Sequence, residues 1–94
     1  MKQLYVISSC NIWKEYSSMH LVSVTGSKIK AKQILIQKIQ EGDMEYTRRS
    51  PIKNPSKYEQ IRALKADWDN RGAEFVFDAI EYGYIQGVTP GEIL

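Results

Sequence analysis

The chain of 94 residues has a single cysteine and a single histidine. One cysteine excludes an internal disulfide and fits a reducing compartment. Together the two residues fall short of the ligand set of a structural zinc site, and no dense carboxylate loop suggests calcium, so neither metal nor other cofactor is expected. No apolar run approaches the ~18 residues of a membrane span. The only apolar stretch near the N-terminus, Leu4-Tyr5-Val6-Ile7, is shorter than the ~7–15 residues of a signal-peptide core, and Trp13-Lys14-Glu15 follows soon after. The expectation is a cytoplasmic protein without a membrane segment. A phosphate-binding loop is also missing, because Gly83-Tyr84-Ile85-Gln86-Gly87 lacks the lysine and following helix of that motif. Neither an internal repeat nor a low-complexity segment is present.

What the chain does have is an ordinary globular composition, 43% hydrophobic and 26% charged, in a length that suits one domain over residues 1–94 and is too short for two. The net charge of +2 conceals a division. Between Lys28 and Lys65, ten basic residues oppose four acidic ones; from Ala66 onward, six acidic residues meet only Arg71. Such a split bears on partners and encounter rates, and a solvated surface is its simplest reading.

Two runs rich in β-branched and aromatic residues, Leu4–Ile7 and Met19–Val24, predict a hairpin joined by an aromatic loop. On simple alternation, Met19, Leu21 and Ser23 share one side of the second strand, and His20, Val22 and Val24 the other. Trp13 and Tyr16 in the loop either fold back over the sheet or are presented to a partner, since such rings are costly to leave wholly in water. Ser27 is a candidate N-cap for a helix over 28–41. Ala31, Leu35 and Ile39 recur at helical spacing with Ile29 and Ile36 beside them, and Gly42 is placed to end the helix. Met44 and Tyr46 alternate with charged neighbours, which suggests a short edge strand.

Ser56-Lys57-Tyr58-Glu59 matches the capping box of a second helix, with Asn54-Pro55 as a rival start. Two endings fit: a stop at Gly72 followed by a strand over 74–77, or a long helix running on to Ala79. The second is preferred, because a mid-helix glycine costs only about 1 kcal/mol relative to alanine. Ile80–Val88 then reads as the closing strand. The order strand, strand, helix, helix, strand predicts an α+β fold, a small antiparallel sheet with both helices on one face.

For chemistry, the best pair is Cys10 and His20, which a hairpin pairing Cys10 with Met19 would bring together diagonally. No flanking signature supports a nucleophile, and a thiol acting as a small hydrophobe beside a surface imidazole is the plainer account. Asp67 and Asp69 lie two apart on a helix and diverge. No catalytic residue is therefore assigned and no enzyme is expected. Nucleic-acid binding draws on Lys28, Lys30, Lys32, Arg48, Arg49, Lys53 and Lys57 as a groove, with Tyr46 and Tyr58 for stacking. Against it, the sequence pI of about 8.7 lies below that of typical nucleic-acid-binding domains, and their signatures are absent. Protein binding draws on Trp13, Tyr16, Tyr82 and Tyr84, residue types that anchor interfaces. A glycine-bearing last strand at a sheet edge also offers homodimerisation or capture of a partner strand.

The segment from Leu4 through Asn11, Trp13 and Tyr16 to Met19 resembles the opening of small uncharacterised proteins carried by bacterial phages and prophages, and Glu81-Tyr82-Gly83-Tyr84 is similar to their closing segment. The resemblance implies a cytoplasmic accessory protein acting on a host or phage component, with inhibition of a defence system as one such role. It assigns no activity to any residue. The sequence thus favours a non-enzymatic protein-binding module, with nucleic-acid binding through the basic 28–65 stretch as the alternative.

Overall fold

A computed structural model describes residues 3–47 and 52–89. Its elements are β1 (Leu4–Ser9), β2 (His20–Thr25), α1 (Lys28–Glu41), α2 (Lys57–Arg71), α3 (Ala73–Ala79) and β3 (Gly83–Val88), with a 3-10 turn at Tyr16–Ser18. The strands form one antiparallel sheet in the order β2-β1-β3. The expected α+β architecture is present, with the helices gathered on one face of the sheet.

Local chemistry accounts for the helix ends. The Ser27 hydroxyl accepts the Lys30 amide at 3.2 Å and opens α1, and Gly42, at φ 85°, closes it in the left-handed conformation. Ser56 and Glu59 complete a reciprocal capping box at the start of α2. The apolar stripe Ala31, Leu35 and Ile39 of α1 is buried against Tyr5, Ile7 and Ile85 of the sheet, Leu64 of α2, and Ala73, Val76 and Phe77 of α3. The Phe77 ring lies tilted by 52° at 5.7 Å from Tyr5 and meets Trp68 edge-on at 5.5 Å. Ile29, expected beside this stripe, is exposed.

Three expectations need correction. The long helix over 57–79 does not form. Gly72 stands at φ 96°, ψ 168°, a region essentially open to glycine alone, so α2 ends there and a separate α3 restarts in a new direction. The 74–77 segment is accordingly helical and not a strand. The closing strand begins at Gly83 and not at Ile80, because Tyr82 adopts φ 63° and breaks the alternation, leaving Ile80 fully buried. In β2 a bulge opposite the Ile7–Ser8 step re-phases the strand: Ser23 pairs with Ile7, yet Leu21 pairs with Ser8. Leu21 and Val24 therefore share the outer face, while Val22 packs on the core.

The predicted edge strand at Met44–Tyr46 is reduced to one bridge, Glu45 with Glu81. Both flanking side chains are buried. Polar groups hold the segment in place: the Gln60 side chain accepts the Tyr46 amide at 3.0 Å, the Tyr46 hydroxyl donates to Asp67 at 2.6 Å, and the Thr47 amide donates to the Glu81 carboxylate at 2.7 Å. Among the described residues, no helix is long and apolar enough to cross a membrane.

Candidate functional surface

The helices cover only one face of the sheet. Register places Leu4, Val6 and Ser8 of β1 on the other face, with Leu21 and Val24 of β2 and Tyr84, Gln86 and Val88 of β3. Three cross-strand rows result: Leu21–Ser8–Tyr84, Val24–Val6–Gln86, and Leu4–Val88. No described element packs over them. Leu21 is 69% and Val24 48% exposed, high values for aliphatic residues in the middle of a strand.

The loop between β1 and β2 lies at the Leu21–Tyr84 end of this face. Trp13 and Tyr16, for which the sequence left two positions open, are 76% and 79% exposed. They project from a backbone that is internally tied. The Lys14 amide donates to the Asn11 carbonyl at 3.0 Å, and the Glu15 amide to the Asn11 side chain at 3.2 Å. Ser18 closes the loop by accepting from the Asn11 amide and donating to the Glu15 carbonyl. The Lys14 ammonium anchors it to the Asp78 carbonyl at 3.0 Å, and the Cys10 amide bonds the Tyr82 carbonyl at 3.0 Å. A loop held in this way presents its rings without losing much entropy when they are covered. Of the four nominated aromatic residues, Trp13, Tyr16 and Tyr82 are exposed and Tyr84 is half-buried, all toward one end of the sheet. Leu21 and Val24 belong with them. The sequence pointed elsewhere for these two because a bulge is not visible in alternation.

The basic residues are distributed differently. Lys28 sits at the start of α1 and pairs with Glu74 at 3.2 Å. Lys57 donates to the Gln40 carbonyl at the far end of the same helix, roughly 18 Å away at 1.5 Å per residue. Lys32 lies over the Trp68 ring at 5.5 Å, while Lys30 and Lys53 are exposed. Arg48 and Arg49 fall outside the described residues. Tyr46, nominated for stacking, is buried and bonded to Asp67, so it cannot meet a base. The described members of the set do not line one groove. A smaller grouping went unnoticed in the sequence: Tyr58, Ile61, Arg62 and Lys65 of α2 line a cleft with Gln40 of α1. Arg62 and Lys65 have no acidic partner among the described residues.

The Cys10 and His20 pair gains no support as a nucleophile. The hairpin pairs Ser9 with His20 as expected, but burial pushes the Cys10 thiol up, outweighing the pull of Lys14 toward the thiolate. Among the described residues, no cluster of three potential metal ligands occurs. These surfaces belong to a small α+β protein with one bare sheet face and a rigid aromatic loop. No protein-family model, curated protein or solved structure matches the chain.

Proposed function

We propose that this chain is a non-enzymatic protein-binding module that docks a partner on the bare sheet face and its aromatic end. The observation that supports this most is the pair Trp13 and Tyr16, three-quarters exposed on a loop fixed by its own hydrogen bonds, next to Leu21. Aromatic anchors beside aliphatic residues are the composition of interface centres. The likeness of the chain ends to phage-carried proteins adds the source of the partner: a host or phage protein, engaged by an accessory protein of a mobile element, with inhibition of a defence system as one such role. The test is affinity capture from bacterial host extract, comparing the natural chain with a Trp13→Ala, Tyr16→Ala, Leu21→Ser variant of unchanged thermal stability. A protein retained by the first and lost from the second is expected. Identical retention by both overturns the proposal.

The second reading, nucleic-acid binding, now rests on Tyr58, Arg62 and Lys65 in place of the broader basic set. An exposed ring beside two cations without an acidic partner among the described residues suits stacking with backbone contact. A salt-sensitive mobility shift of single-stranded DNA or RNA, lost in Arg62→Glu, would favour it.

A further inference from the structure

The outer edge of β3 carries unused backbone hydrogen bonds. The Cys10 amide bonds the Tyr82 carbonyl directly opposite it, so even-numbered residues of β3 turn their backbone groups toward β1. The odd-numbered residues Gly83, Ile85 and Gly87 therefore point theirs away from the sheet. The preceding odd residue shows what that edge accepts. Glu81 exchanges both backbone bonds with Glu45, at 2.8 and 3.0 Å, as an arriving antiparallel strand would. That segment goes no further. Gly83 abuts the Met44 side chain, while Ile85 and Gly87 make no hydrogen bond at their outer edge among the described residues.

Natural edge strands are shielded by lysine, proline, a bulge or a covering segment. β3, Gly83-Tyr84-Ile85-Gln86-Gly87-Val88, has no charge, no proline and no bulge. Along it runs a cleft of about 320 Å³, lined by Tyr5, Phe77 and Ile85, by Glu74 and Asp78 of α3, and by Lys14, whose ammonium bonds the Asp78 carbonyl and not its carboxylate. Glu74 is matched by Lys28, but the Asp78 carboxylate has no ion pair or hydrogen bond among the described residues.

We propose that the β3 edge and the adjoining cleft take an extended peptide segment of a partner protein as a fourth strand, with an apolar side chain over Tyr5 and Phe77 and a basic one at Asp78. The inference rests on the protein-binding reading but uses a different surface from the aromatic loop. A second copy of this chain is the poorer occupant, because β3, Gly83–Val88, has no basic side chain to set against Asp78.

The experiment titrates the full chain with a terminally blocked heptapeptide alternating valine and lysine, followed by amide NMR shifts and hydrogen exchange. Shifts and slowed exchange at Ile85 and Gly87 are expected. A peptide with glutamate in place of lysine should bind at least about 10-fold more weakly, as expected for a misplaced charge. Gly87→Pro removes an outer-edge donor without touching the β1 ladder. It is combined with Gln3→Ala, since the Gln3 amide occupies the space a Cβ would need. This variant should keep the natural thermal midpoint and lose the peptide. Absence of shifts at 1:20 chain to peptide, shifts confined to β2 or the aromatic loop, or equal binding by the Gly87→Pro, Gln3→Ala variant overturns the proposal. Concentration-dependent shifts at Ile85 without peptide, together with a doubled mass in sedimentation, assign the edge to a second copy and overturn it as well. The readout at β3 is separate from that at Trp13 and Tyr16, so failure of this proposal is told apart from failure of the protein-binding reading.

Discussion

The two faces of the sheet draw on similar residues and meet different ends. On the covered face Tyr5, Ile7 and Ile85 are buried under the helices; on the bare face Val6, Leu21, Val24 and Tyr84 stay partly or largely in solvent. Hydrophobicity alone does not separate them. What separates them is supply: the three helices offer one continuous apolar surface, and that surface is used up on a single face. The residual apolar face is the one that a binding partner would stabilise, at about 25 cal/mol per Å² covered.

This contrast makes quantitative demands. Leu35→Ala removes a fully buried side chain from beneath the covered face, and should cost roughly 2–5 kcal/mol in urea unfolding, as buried leucine truncations do. A cost below 1 kcal/mol would erase the distinction between the faces. Gly72→Ala has free space for the added carbon, so its cost isolates backbone strain and should be about 1–3 kcal/mol. An unchanged stability would mean that α3 does not depend on that turn to reach β3. Leu21→Ser on the bare face should change stability by no more than about 0.5 kcal/mol, the range of surface substitutions, while weakening partner capture. A loss comparable to Leu35→Ala would show that the face is covered after all.

The smallest effect belongs to the surface ion pairs. Hydrogen bonding from Lys38 and then Gln37 holds the Glu41 carboxyl below its ordinary value near 4.5, and its own backbone amide, followed by Lys28, does the same for Glu74. Lowered folded-state values mean that this stabilisation is complete above pH 4.5 and is lost as pH falls below it. Glu41→Gln and Glu74→Gln should therefore lower the thermal midpoint slightly at neutral pH and leave it unchanged at the acid end, which flattens the acid limb. A shift of several degrees at pH 7 would give these exposed pairs more weight than solvent screening allows.

Much of the fold was legible because its signals are short-range. The Ser27 cap, the Gly42 stop and the Ser56–Glu59 box each act within four residues, and all three are found where the chain indicates. The strand runs of β1 and β2 were readable from β-branched and aromatic content. The break at Gly72 was not, because α2 and α3 share a helical apolar spacing that a straight helix would satisfy equally well. The candidate surface was half legible. Trp13 and Tyr16 could be nominated by residue type, but Leu21 and Val24 share a face only because of a bulge that alternation does not encode. The basic residues looked like a groove in sequence because they are close in number; α1 then carried Lys28 and the Gln40 contact of Lys57 to its opposite ends.

The amino-acid order by itself determined both ends of α1, the start of α2, the extended runs of β1 and β2 and the content of an α+β chain, since capping and side-chain period depend on neighbours a few positions away. Tertiary structure alone decided which sheet face would be left bare, where β3 would begin and whether the aromatic loop would be inside or out. Those outcomes follow from competition for a limited apolar surface between segments as far apart as Leu4 and Val88 in a 94-residue chain, a competition that no local pattern records.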